Sequence, residues 1–268
     1  MKKNILTLAL SVGIIAIVFL SFKSMSNKSS LPDLVQSQPA PTASTSSVTT
    51  PIATSTAPTP IVKPVAPATS TPASPLFILE NAPFTSQAPF GNWADPIEQN
   101  GCEEASALMA ISWARGQTFT KDEALKQIIA SSDYTLKKYG AYLDVSAQDT
   151  VNWIIKDFFN YPNAEFRKDI KIADIISELK KGNVVITPMN GQILPNPNYT
   201  APGPGEHMLL IRGYDEAKNQ FITNDPGTRK GELFRYDIPT FYAAIRDYPS
   251  GFKEPNSGRN KNMIVVWK

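Results

Sequence analysis

An α+β domain is what the sequence predicts, because helical and strand periodicities occupy different halves of one stretch of chain. Up to Gly182 apolar residues recur at helical spacing, and from Val184 onward they come in short runs rich in Val, Ile, Phe and Tyr. Helices first and strands second indicate segregated layers and not alternating βαβ units. The third observation is a change of composition at Leu76-Phe-Ile-Leu79, beyond which all 4 tryptophans lie. Residues 76–268 are therefore read as the folded domain, long enough to bury a core of its own.

A strand opens the domain at Phe77–Leu79, and a polar, Pro-rich stretch follows to Asn100. The first strong helix is expected from Glu103 to about Arg115, with Ala105, Leu108, Met109, Ile111 and Trp113 as its apolar face. Thr120-Lys-Asp-Glu123 has the form of a capping box and opens a second helix through Ile129. A third helix follows Ser146 and carries Val151, Ile154, Ile155 and Phe158; a fourth spans Ile172–Lys181 and stops at Gly182. Strands are expected at Val184–Thr187, Met208–Arg212, Gln220–Thr223, Leu233–Tyr236 and Met263–Trp267. Between Asn190 and Glu206 lies a Pro/Gly/Asn-rich loop longer than a connector needs, and such loops are commonly functional.

Residues 1–23 read as an N-terminal membrane anchor or signal peptide. Met-Lys-Lys-Asn precedes an uncharged run from Ile5 to Phe22, which as a helix would extend roughly 27 Å, near the thickness of a bilayer's apolar core. The run is long for a cleavable signal, although Ser24-Met25-Ser26 has the small-x-small form of a cleavage site. A retained anchor is the preferred expectation, with secretion after cleavage as the alternative. No cysteine lies nearby to carry a lipid. Residues 24–75 are mostly Ser, Thr, Ala and Pro, too poor in apolar surface to offset the entropy of folding. Their prolines favour an extended stalk. The expectation is a monomeric domain held outside the cytoplasm, joined to the membrane through its N-terminal helix.

Charge is close to balanced, with 26 basic and 24 acidic side chains, which gives no electrostatic footprint for nucleic acid. One Cys and one His exclude an internal disulfide framework and multi-cysteine zinc or iron–sulfur sites. No metal or organic cofactor is implied.

Cys102 stands at the start of the first strong helix, in Gln99-Asn-Gly-Cys-Glu-Glu-Ala-Ser106. Backbone N–H groups and the dipole at a helix N-terminus favour a thiolate, the nucleophilic form. The bland alternative is a small buried core residue. Glu103 and Glu104 read as first-turn residues complementing the dipole, and they oppose thiolate formation beside them.

His207 opens the Met208–Arg212 strand, and its bland reading is a surface or satisfied core histidine. Tyr214–Asn219 reads as a turn, so the flanking strands form a hairpin. A centre near Glu216 sets His207 opposite Asp225, with Cβ atoms about 5 Å apart on one face. Asn224 then points to the other face, and a one-residue slip would exchange the two. Gln87, Trp93 and Glu206 are lesser candidates: an amide donor for an oxyanion, a wall of a cleft, and a solvated charge.

Pro83-Phe-Thr-Ser-Gln87, Gly91-Asn-Trp93 and Asn100-Gly-Cys-Glu-Glu-Ala-Ser106 resemble the opening of peptidase C39-like domains. Gly205-Glu-His207-Met-Leu-Leu-Ile-Arg-Gly-Tyr-Asp215 and Phe221-Ile-Thr-Asn-Asp225-Pro-Gly are similar to their second half. The resemblance implies a papain-like cysteine proteinase fold and a Cys-His-Asp triad at Cys102, His207 and Asp225, with Gln87 at the oxyanion. It also implies a cysteine peptidase acting on a peptide or protein substrate. Many members follow the cysteine with Gly-Pro, whereas Glu103-Glu104 stands here. With no G-x-x-x-x-G-K-[ST] loop, the double-glycine leaders cut by exporter-fused members are not carried over. A catalytically silent binding module and a thiol acyltransferase are the alternatives on the same fold.

Overall fold

The computed structural model describes residues 76–251 and 260–268 of the protein, so the expected anchor and stalk lie outside the described residues. Among the described residues no helix is long and apolar enough to cross a membrane. The chain runs through β1 (Leu76–Ile78), α1 (Pro96–Gln99), α2 (Cys102–Arg115), α3 (Lys121–Tyr139) and α4 (Ala147–Asp149), which continues as a π-helical stretch, Thr150–Phe158. Then come β2 (Ala164–Arg167), α5 (Ile172–Lys180), β3 (Val184–Met189), β4 (His207–Asp215), β5 (Gln220–Asn224), β6 (Phe234–Asp237), α6 (Ile238–Ala244) and β7 (Met263–Val266).

Among the described residues the strands form one sheet in the order β2-β7-β3-β4-β5-β6, with β1 also paired to β4, and every pairing is antiparallel. The α+β class follows as expected. Both faces of the sheet are covered, which is why its central strands are continuous apolar runs and not alternating ones. Val184, Ile186, Met208, Leu210, Ile264 and Val266 face the core shared with α2 and the π-helical stretch. Their neighbours Val185, Leu209, Ile211, Met263 and Val265 face the core under α5 and α6. Each such side chain contributes about 1.5–3 kcal/mol by leaving water.

Helix α2 differs from the one-sided helix expected. Every residue from Cys102 to Trp113 is buried, because the sheet lies on one side and α3 and the π-helical stretch cover the rest. Glu103 and Glu104 are thus interior residues, not surface complements to the dipole. Helix α3 begins with the predicted capping box but runs to Tyr139, ten residues past Ile129. Its later buried positions are Ser131, Ser132 and Thr135, which give no apolar signal. Elements α1, β2 and α6 were not foreseen; the first two are 4 residues each, below the length at which periodicity is readable.

The β4–β5 hairpin corrects the expected register. Asp215 pairs with Gln220 and Gly213 with Ile222, so the turn centres beyond Glu216. A β-bulge at Arg212 then shifts the ladder by one, giving Ile211↔Thr223 and Leu210↔Asn224. Extended one step, this places Asp225 against Leu209, two residues from His207 and on its face. Without the bulge the parity would be reversed. Arg212 itself leaves the ladder and donates to the carbonyls of Leu79 and Ala82, holding the segment that leads to Gln87. Asn224 points the other way, as expected, and donates to the carbonyls of Ala82 and Pro83.

Candidate active site

Three predicted residues, Gln87, Cys102 and His207, line one cavity of about 660 Å³, and Asp225 lies behind His207. The backbone delivers them from four places: the segment after β1, the first residue of α2, the first residue of β4, and the residue after β5. Trp93 lines the same cavity, as do residues 197–200, 203, 204 and 206 of the long loop.

Asp225 is fully buried and densely served. Its Oδ1 accepts from the Gly227 N–H at 2.9 Å and lies 2.8 Å from His207 Nε2. Its Oδ2 accepts from Tyr236 OH (2.5 Å), Tyr199 OH (2.6 Å) and Asn196 Nδ2 (3.2 Å). Burial pushes its carboxyl upward, but His207 and these hydroxyl donors outweigh it and hold the group below its ordinary value. Gly227 and Gly231 shape the turn beyond it: a Cβ on Gly231 would fall 1.8 Å from the Asp225 carbonyl oxygen, and one on Gly227 would meet the His207 ring at 2.9 Å. Asp225 thus engages Nε2, and Nδ1 is the other ring nitrogen of His207.

Cys102 is in a different state from the one its helix position predicts. Burial and the neighbouring Glu103 carboxyl raise its thiol well above the usual range, so it rests protonated. Its Sγ–H donates to Glu103 Oε2 at 3.1 Å. Glu103 Oε1 accepts from Tyr248 OH at 2.6 Å, and burial followed by Asp144 raises its carboxyl to about 8. Glu104 is raised further by burial and by Glu103. Burial of the thiol, reinforced by Glu103, therefore overrides the first-turn dipole.

Gln87 reaches the cavity wall with its amide donors already engaged. Nε2 donates to the carbonyls of Glu98 (3.1 Å) and Gln99 (2.7 Å), the end of α1. In this conformation it offers no free N–H to an oxyanion. Glu206, expected as a solvated charge, instead pairs with Arg246 and is 16% exposed. Asn196, Tyr199 and Tyr236 escaped the sequence reading. The length of the Asn190–Glu206 loop was the one available signal, and it pointed to the first two. Among the described residues no cluster of three or more His, Cys, Asp or Glu side chains is placed to hold a metal.

A cysteine at a buried helix start and a histidine held by a buried aspartate thus border a single cavity. The sequence profile of the Peptidase_C39 like family matches residues 79–249, and the chain belongs to that family. Its helices and single antiparallel sheet give the α+β architecture that the sequence predicted. A crystal structure assigned to a C39-like peptidase from Bacillus anthracis is similar with a TM-score of 0.48 and 16% identity, over 73% of this chain and 98% of that one. Among curated proteins none matches.

Proposed function

We propose that the domain is a cysteine peptidase that hydrolyses an amide bond of a peptide or protein through Cys102, His207 and Asp225, outside the cytoplasm and tethered by its N-terminal segment. The observation that carries this reading is the buried 2.8 Å His207–Asp225 contact beside a cavity that also contains Cys102. Asp225 fixes the imidazole through Nε2, so Nδ1 is the nitrogen that takes the thiol proton when Sγ turns from Glu103. The thiolate attacks the carbonyl, His207 returns the proton to the leaving amine, and water releases the acyl group. The N–H groups of the first turn of α2 lack intrahelical acceptors and are suited to the oxyanion. Gln87 joins them once it releases one carbonyl at the end of α1.

The test is covalent labelling with an electrophilic peptide, followed by intact-mass analysis of wild type, Cys102→Ala and His207→Ala. Labelling confined to Cys102 and lost in both variants is expected. Labelling that survives His207→Ala at full rate sinks the dyad.

One observation favours a second reading. A buried, protonated thiol bonded to a carboxyl is also the state of a site that no longer does chemistry, as in a binding module of this fold. That reading expects ligand binding to be equal in wild type and Cys102→Ala, with no labelling of either.

A further inference from the structure

Asp144 sits in the wall of the Cys102 cavity, half-buried, with a backbone φ of 45°. Its carboxylate makes no hydrogen bond or ion pair among the described residues. Every other carboxyl nearby is already served or remote from the cavity. Glu206 is paired with Arg246, and Glu103 accepts from Cys102 and Tyr248. Glu104 faces α3 and does not line the cavity. Two cations, Arg229 and Lys230, line the same cavity, yet neither pairs with Asp144. Of the carboxyls around the Cys102 thiol, Glu103 and Glu104 are held towards their neutral forms by burial, and Asp144 is the one that faces the cavity without a counter-charge among the described residues.

We infer that Asp144 is the specificity-determining residue of this site and selects substrates carrying a cationic group, a lysine or arginine side chain or a free amine, beside the scissile bond. The inference rests on the thiol-hydrolase reading and adds the substrate class to it. A bound cation completes an ion pair in a part-buried wall, where charge–charge contacts are worth more than at an open surface. It has a second effect on the same atoms. Asp144 is one of the charges that oppose ionisation of Cys102, and a cation docked on it offsets that opposition. Recognition and activation of the thiol are then one event, with cationic substrates assembling the reactive state that neutral ones leave unassembled.

The groups facing Asp144 are Cys102 and Glu103 from α2, Tyr248 beyond α6, and Glu206 ahead of β4, the last neutralised in part by Arg246. Burial and then Glu206 raise the Asp144 carboxyl to about 6. Below that pH the group is neutral and the selectivity is lost.

The experiment uses the full chain and three peptidyl vinyl sulfones that differ only in having Lys, Gln or Glu beside the warhead. The second-order rate of Cys102 modification is read by intact mass for wild type, Asp144→Asn and Asp144→Lys. Wild type is expected to react about tenfold faster with the Lys probe than with the Gln probe, the scale of one such contact, and slowest with Glu. In Asp144→Asn the three rates converge, with the Gln probe faster than in wild type. In Asp144→Lys the order inverts. Asp144 has no hydrogen bond for Asn to lose, and its ionised form is opposed by burial, so Asp144→Asn should melt no lower than wild type. Wild-type rates independent of probe charge, or a Lys preference that survives Asp144→Asn, overturn the inference and leave the thiol-hydrolase reading standing. No Cys102 modification by any probe overturns both.

Discussion

His207 Nε2 stands 2.8 Å from Asp225 Oδ1, and both side chains are sealed from solvent at 1% and 0% exposure. Away from water such a contact fixes the ring in one orientation and one tautomer. Asp225→Asn keeps the volume but removes the charge that His207, Tyr199 and Tyr236 all address. We expect labelling of Cys102 to slow by about a hundredfold and stability to fall by roughly 2–4 kcal/mol, since hydrogen bonds to charged groups are the strong ones. Because the Asp225 carboxyl is depressed in the folded state, its contribution is present above its unfolded value near 3.8 and disappears as pH falls below it. Denaturant melts of the two proteins should therefore converge in acid.

Glu103 touches the Cys102 thiol. Above about pH 8 its carboxylate sets a second negative charge 3.1 Å from any thiolate on Cys102. Glu103→Gln removes that charge and keeps one of the two acceptor oxygens that Cys102 and Tyr248 use, the other becoming an amide donor. The midpoint of the alkylation-rate profile against pH should move down by about one unit or more. A midpoint that stays in place would show that Glu103 does not govern the thiol.

The same carboxyls make folding stability depend on pH in the opposite sense to Asp225. A buried acid raised from 4.5 to about 8 contributes stability that is complete below 4.5 and is lost as pH rises through 8. Glu104 moves in the same direction. Wild type should lose stability between pH 5 and pH 8, and Glu103→Gln with Glu104→Gln should flatten that slope. Urea melts at the two pH values measure it.

Arg212 makes three hydrogen bonds to the carbonyls of Leu79 and Ala82 from a 5% exposed position. Arg212→Met fills similar space but takes the side-chain donors from the Leu79 carbonyl and leaves that of Ala82 with only the longer bond from Asn224. The expected cost is roughly 2–4 kcal/mol. Loosening of the leading segment should show as faster amide exchange at Gln87, whose N–H bonds the Pro226 carbonyl.

Much of this was legible because periodicity and punctuation agree. The capping box at Thr120 and the glycine after α5 mark helix ends through local chemistry alone. The pairing of His207 with Asp225 was legible for a subtler reason. The turn was placed an odd number of residues off, and an unseen bulge at Arg212 restored the parity. Gly213 within a strand is a local sign of a bulge or a close backbone approach, which it makes to Phe77, but what draws Arg212 out is a set of carbonyls distant in sequence. Glu103 and Glu104 misled because acidic residues in a first turn are ordinarily solvated. Only the covering of α2 on all sides makes them interior. Tyr199 and Tyr236 were hidden for the same cause: they converge on Asp225 from a loop and from a strand far apart in the chain.

The bulge has a further consequence for how this protein tolerates change. Since the phase of the hairpin is reset at Arg212, the Glu216–Asn219 tip sits on the far side of that reset from His207 and Asp225. Lengthening the tip, even by a grafted peptide, leaves the His207–Asp225 half of the ladder in step, whereas one residue added between His207 and Arg212 turns the histidine away from its partner. The hairpin is thus divided into a stretch that can accept insertions and a stretch that cannot. An affinity tag or reporter placed at Ala217–Lys218 is the position we would choose for following this domain while it works.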